Sequence, residues 1–518
     1  MGSLSNGGWE PIEGWTPESQ GEGMRRHGRW AAGTLTAVVA VALLAGCGSS
    51  TAGTTTTTTG AGTTTTVPTG TGQPIALGAP VSVPERVVTI PTPAVPGTPA
   101  QYNQVQVRQF GSSAATHVLV LTPGTYGGAG DFDLVAPYLV QHVPDLQVWS
   151  VMRREGTLQD ESLIESTLAG QTTLTQAFDY YLGWIADPSI TVHYQPLSNA
   201  DYAFADQWGL GVALDDLHAV VVAAHTGGVR TVTLGGHSLG GSVAAAYAAW
   251  DFDGAPGYTT INGIICIDGC AGSPSAFGSP VTVASAQKAI AALSTKGPWS
   301  DALHLGLPWA TGAFAQVGAL AALLDPQGSA TLIQDFKLLP KALDPAGTVT
   351  YQALFGHAFD YRTSPPYLAL DQVHSGVVAS TGDPRPWTPD GITPVQNVAN
   401  VFAQPQLGFL DWYYPSRLSI DAGAAASLRQ TAVANALGLR LLHTAQVNVP
   451  LYAFQTSLGG RKNAVARSAH AYQAESKIPS VTVVSRTSTY SHLDPLLASP
   501  DQNDFLKTVV PWLDRLDG

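Results

Sequence analysis

In Gly236-His237-Ser238-Leu239-Gly240 a single serine sits between two glycines, after an apolar β-branched run and before an alanine-rich one. That spacing puts the serine on a sharp strand-to-helix turn, where a strained backbone lifts its Oγ out of the sheet. Gly236 and Gly240 remove side chains that would clash at so tight a corner. A serine hydroxyl is a weak nucleophile until a base takes its proton. His492 lies in the loop after the last apolar run, and its imidazole changes protonation near neutral pH. Asp268 ends a buried-type run and is the candidate carboxylate for holding that imidazole in one orientation; Asp494 is too close in sequence to His492 for the same task. The chemistry these three groups predict is attack on a carbonyl carbon. Five-residue spacing is weak evidence in a chain with 55 glycines, so the surrounding elements must decide.

Those elements occur in the required order. Residues 229–234 read as a central strand and 242–250 as a helix packed close to it, while Leu214, Leu217, Val221 and Ala224 recur at helical spacing just upstream. Residues 117–121 form another apolar run, followed by the loop Thr122-Pro123-Gly124-Thr125-Tyr126-Gly127-Gly128-Ala129-Gly130. Further strands are expected at 147–151, which leads into Arg153-Arg154-Glu155-Gly156, and at 263–269, 449–457 and 480–485, with an amphipathic helix at the C-terminus. The roughly 180 residues before 449 show helical apolar patches at 284–293, 302–324, 332–343 and 424–443. A structureless loop of that length does not suit a compact domain, so a cap subdomain is expected over Ser238. Its aromatic residues, Trp299, Trp309, Phe314, Phe355, Phe359, Trp387, Phe402, Phe409, Trp412, Tyr413 and Tyr414, are candidates for an apolar tunnel or for the cap's own core.

The elbow, the 123–128 glycine loop and His492 make residues 100–518 resemble the α/β-hydrolase superfamily, in its serine hydrolase, esterase and lipase-like branches. The resemblance implies an α/β fold with a mostly parallel sheet and helices on both faces, a core of 73–270 and 447–518, and a cap at 271–446. It implies transfer of an acyl group to water through an acyl-enzyme, with the triad in the chain order Ser238, Asp268, His492. The oxyanion hole would use the amide of Leu239 and that of Thr125 or Tyr126, with His237 and Tyr126 as substrate contacts. The superfamily more often places the acid after the following strand, which here ends without a carboxylate. A serine nucleophile argues against the dehalogenase and epoxide hydrolase branches, which use aspartate. Aminopeptidase or acyltransferase chemistry shares the same triad. A silent hydrolase fold binding an apolar ligand at the cell surface is the alternative outside catalysis.

The N-terminus points to export. Met24-Arg25-Arg26-His27-Gly28-Arg29 precedes an apolar stretch from Trp30 and then Leu44-Ala45-Gly46-Cys47, which resembles a bacterial lipoprotein signal peptide over 1–47 with Cys47 as the lipid attachment site. Translation is expected to start at Met24. Residues 48–72, nearly all threonine and glycine, are expected to be a disordered tether between the membrane and the folded body. The formal net charge is −13 and no basic run occurs after residue 30, so no nucleic-acid partner is expected. No metal-ligand cluster and no G-x-G-x-x-G before a helix is present, so neither metal nor organic cofactor is implied. Cys266 and Cys270 are expected to remain two small buried thiols, because an extended strand end would hold their Cα atoms more than about 7 Å apart.

Overall fold

The computed structural model describes residues 82–273, 281–302 and 306–516; the signal segment, Met24, Cys47 and the 48–72 tether lie outside them. Eight strands form one sheet: β1 (Glu85–Pro91), β2 (Gln104–Phe110), β3 (His117–Thr122), β4 (Leu146–Met152), β5 (Thr231–His237), β6 (Gly263–Ile267), β7 (Leu451–Gln455) and β8 (Val481–Ser485). Their spatial order is β1-β2-β4-β3-β5-β6-β7-β8. From β4 through β8 every neighbouring pair is parallel, and β2 runs antiparallel to both β1 and β4. Parallel pairing demands crossovers, and the chain supplies helices. Before β6 these are α1 (Val135–His142), α2 (Leu210–His225) and α3 (Leu239–Ala249). Between β6 and β7 come α4 (Val283–Lys296), α5 (Ala310–Leu324), α6 (Tyr351–Phe359), α7 (Val395–Phe402) and α8 (Ser416–Ala425). After β7 come α9 (Ala464–Ala474) and α10 (Asp504–Asp514).

β3, β4, β6 and β7 are buried along their whole length, as strands covered on both faces must be. Alternate residues therefore belong to two different cores. Leu119, Leu121, Ile265, Ile267 and Phe454 face α1 and α10. Val118, Val120, Ile264, Cys266 and Ala453 face α2, α3 and α9. This is the α/β-hydrolase fold, with helices on both faces of a mostly parallel sheet.

Among the described residues, the segment between β6 and β7 adds nothing to the central sheet, and it packs in two directions. Helices α5, α6 and α7 join the α1 side of the core, where they meet Phe178 and Tyr181 from the connection between β4 and α2. Helix α8 packs instead into the α2–α3 core through Leu418 and Ala425. Its Asp421 accepts the Leu210 amide at 3.1 Å, so the start of α2 is capped by a side chain from the inserted segment. The covering layer thus draws on residues between β4 and α2 as well: buried Glu161 accepts from Gln316 Nε2 and the Gln406 amide, both at 2.7 Å.

Three helical expectations shorten for local reasons. The helix expected over 302–324 begins only at Ala310, after Gly306 and Pro308. Over 332–343 a single turn, Thr331–Gln334, is followed by a short 3₁₀ piece after Pro340, which cannot occupy a helix interior. Residues 424–443 split between the end of α8 and a turn at Ala432–Ala436, because Leu428 (φ 54°) and Gly438 (φ 73°) take left-handed backbone. Strands β1 and β2 were not expected; β1 is a largely exposed edge strand without a clean alternation.

Candidate active site

β5 ends at His237 and α3 begins at Leu239, leaving Ser238 alone at the corner with φ 54° and ψ −121°. L-residues adopt such backbone rarely, at a cost of order 1–3 kcal/mol that only a well-determined surrounding sustains. The surrounding here is backbone against backbone. A Cβ on Gly236 would lie 2.4 Å from the Gly240 carbonyl carbon, and one on Gly240 would lie 2.0 Å from the Thr122 oxygen. The Ser238 amide donates to the Ile267 carbonyl at 2.7 Å, which ties the corner to the end of β6. Between Val232 and Gly241 only Ser238 is not buried.

Asp268 follows the last residue of β6 and, at φ 48°, turns its carboxylate toward the end of β7. There it accepts the Thr456 amide at 2.6 Å, the Thr456 hydroxyl, and the Gly459 amide at 3.2 Å. It also accepts from His492 Nδ1 at 2.5 Å, and both side chains of that pair are buried. The end of β7 thus carries Thr456, a donor to the carboxylate at the end of the neighbouring strand. A proton held on Nδ1 leaves the lone pair on Nε2, and Nε2 of His492 is buried with no hydrogen-bond partner among the described residues.

The same turn overturns the expectation for the cysteines. Because β6 stops at Ile267, the chain is not extended across 268–270, and the Cα atoms of Cys266 and Cys270 come within 5.4 Å and form a disulfide. The bridge brackets Asp268. His237, expected to contact substrate, is buried and spends its Nε2 proton on the His492 carbonyl at 2.9 Å. Burial, and next the neighbouring His492, hold its imidazole well below the usual histidine range, so it stands as a neutral strut under His492. Asp494 serves elsewhere, accepting from His374 Nδ1 at 2.7 Å and Thr393 Oγ1 at 2.6 Å in the inserted segment.

The loop after β3 closes the other side. A Cβ on Gly124 would stand 3.1 Å from that of Ser238, so the loop lies directly against the serine. Gly124 to Gly127 form a turn with Tyr126 at φ 58°. The amides of Thr125, Tyr126 and Leu239 have no partner among the described residues, which leaves donors around the serine for an incoming oxygen. The Tyr126 ring packs against Tyr414 at 5.0 Å, and its hydroxyl donates to Ser300 at 2.8 Å. Asp131 lies beneath the loop and accepts the amides of Gly124 (3.2 Å) and Gly128 (3.1 Å); burial pushes its carboxyl up to about 7.

Tyr126 also borders an apolar cavity of about 100 Å³ within the inserted segment. Of the aromatic residues expected there, Phe314, Phe355, Phe359 and Phe402 line it. Trp309 and Trp412 instead pack on Tyr194 at 4.8 and 5.6 Å as internal core. Two carboxyls, Asp371 and Asp411, are part of the lining. Burial pushes Asp371 up to about 6, against the opposing pull of His492. Sequence reasoning missed Thr456, Asp131, Asp371 and Arg153. For Arg153 and Asp131 the available signal was a charge at a strand end and one inside a glycine loop, in a chain with only 12% charged residues.

No family model matches the sequence, and no curated protein matches it. Among solved structures the chain is similar to a candidate lipase from Sulfolobus solfataricus, at 17% identity and a TM-score of 0.42, covering 83% of this chain and 94% of that one. It is similar to esterase E22 at 14% identity and a TM-score of 0.36, covering 83% and 100%. A soluble variant of monoglyceride lipase from Saccharomyces cerevisiae gives 8% identity and a TM-score of 0.32, covering 80% and 92%.

Proposed function

We propose that this chain is a serine esterase that hydrolyses carboxylic esters with an apolar acyl or alcohol part. The observation that carries the proposal is a buried His492–Asp268 pair whose Nε2 is unpartnered, at the same sheet end as a serine on a strained elbow. In this reading Ser238 Oγ attacks the ester carbonyl carbon and its proton passes to His492 Nε2. Asp268 stabilises the imidazolium, while the Leu239 amide and that of Thr125 or Tyr126 bind the oxyanion. Collapse of the tetrahedral intermediate breaks the C–O bond, and His492 gives its proton to the departing alcohol. Water then repeats the sequence on the acyl-enzyme and releases the acid.

The apolar part of the substrate is assigned to the cavity beside Tyr126, whose lining is dominated by phenylalanine and leucine. Gly318 of α5 is part of that lining, and a Cβ there would meet Phe355 at an ordinary 3.5 Å, so a larger side chain has only the cavity to enter. In Gly318→Phe the ratio of kcat/KM for octanoyl over acetyl p-nitrophenyl esters is expected to fall roughly 10- to 100-fold, the range for one or two displaced apolar groups. An unchanged ratio would remove the cavity from substrate binding.

A further inference from the structure

The turn that carries the candidate oxyanion donors is held from behind by one buried cation. Arg153 follows the last residue of β4 and is 8% exposed. Its Nη1 donates to the carbonyls of Pro123 and Gly124, each at 3.1 Å, and its Nη2 to the carbonyl of Gly127 at 2.9 Å. Its Nε donates to Glu155 at 2.6 Å, and Nη2 also reaches Asp411 at 3.4 Å. A guanidinium has five N–H donors, and here each faces an acceptor: three carbonyls of one loop and two carboxylates.

The consequence follows from peptide geometry. In a trans peptide the C=O and N–H of one unit point in opposite directions, so fixing a carbonyl aims the next residue's amide away from the guanidinium. For the Pro123–Gly124 and Gly127–Gly128 units that amide is taken by Asp131. For the Gly124–Thr125 unit it is not: the Thr125 amide has no partner among the described residues. Of the three units that Arg153 holds, only this one presents an open donor, on a loop packed against Ser238.

The fifth acceptor comes from the inserted segment. Leu410 pairs with Gly127 in an antiparallel bridge, the Asp411 amide donates to the Tyr126 carbonyl at 2.8 Å, and the Gly130 amide donates to the Gly408 carbonyl at 3.0 Å. Residues 408–411 thus lie along the loop, bridged to it at Leu410, and Asp411 closes the fork of Arg153. We propose that Arg153 is the positioning residue of the oxyanion hole, aiming the Thr125 amide at the reacting oxygen, and that Asp411 makes that aim depend on the seating of the inserted segment. This inference rests on the esterase reading and selects Thr125 over Tyr126 as the second donor.

Arg153→Lys is the informative variant. It keeps the charge that Glu155 and Asp411 require, but an ammonium with three donors cannot span three carbonyls and two carboxylates. With the full-length protein and p-nitrophenyl butyrate, kcat is expected to fall about 10²-fold while KM moves less than about threefold, as for loss of one oxyanion donor. Affinity for an alkyl trifluoromethyl ketone, whose adduct carries the oxyanion, is expected to fall by the same factor as kcat. Asp411→Asn, which spares the loop contacts, is expected to lower both by roughly tenfold and serves if the lysine variant does not fold. Retention of kcat and inhibitor affinity within threefold in either variant, or a rise in KM with kcat unchanged, overturns the proposal. A wild-type protein that neither turns over the ester nor binds the ketone defeats the esterase reading instead.

Discussion

Replacing His492 with alanine is expected to lower kcat on a p-nitrophenyl ester by roughly 10⁴-fold or more, with the folding transition close to wild type. The size follows from the described residues, which offer no substitute base at this sheet end. His237 donates its proton to the His492 carbonyl and is held neutral by burial. His374 is paired with Asp494. Among the described residues only His492 combines an anchored Nδ1 with a buried, unpartnered Nε2. Activity within tenfold of wild type would mean that the serine is activated by another group, or not at all.

Asp268→Asn is expected to cost about 10⁴-fold in kcat with little change in KM. The carboxylate accepts five contacts from four donors: two groups of Thr456, the Gly459 amide shared between both oxygens, and His492 Nδ1. An amide side chain has one acceptor oxygen and one donor group, so it cannot satisfy a shell built only of donors. If its NH₂ faces the ring, the imidazole proton moves to Nε2, the tautomer that cannot take a proton from Ser238. If its oxygen faces the ring, the NH₂ is forced against the Thr456 amide. Steady-state kinetics with a thermal melt separate loss of catalysis from loss of fold. Near wild-type kcat in a folded variant would show that the orienting acid lies elsewhere.

What could be read before any coordinates was local or followed chain order. The elbow is written in five consecutive residues, because its close backbone approaches demand glycine at 236 and 240. His492 could be picked out because one loop follows the last strand. Asp268 was legible as a strand-end carboxylate, but not its shell, since Thr456 and Gly459 reach it only once β7 lies beside β6. Arg153 was visible in Arg153-Arg154-Glu155-Gly156 and stayed unassigned. Its role depends on β4 pairing with β3, which places the arginine behind a loop some 30 residues earlier in the chain.

The disulfide is hidden in the sequence for a related reason: Asp268, the residue proposed to orient His492, breaks the strand, and its left-handed backbone departs from the regular extension expected of its neighbours. The inserted segment was legible as helical and apolar. Its two-sided packing was not, because α8 and α5 carry similar apolar residues and differ only in which core receives them.

The central claim is that Ser238 is an activated nucleophile, and reaction with a fluorophosphonate tests it most directly. Intact mass and peptide mapping of the folded protein are expected to show one covalent adduct, on Ser238, formed within minutes at neutral pH and absent from Ser238→Ala. A folded protein that takes up no label, or a Ser238→Ala variant that still does, would contradict the account.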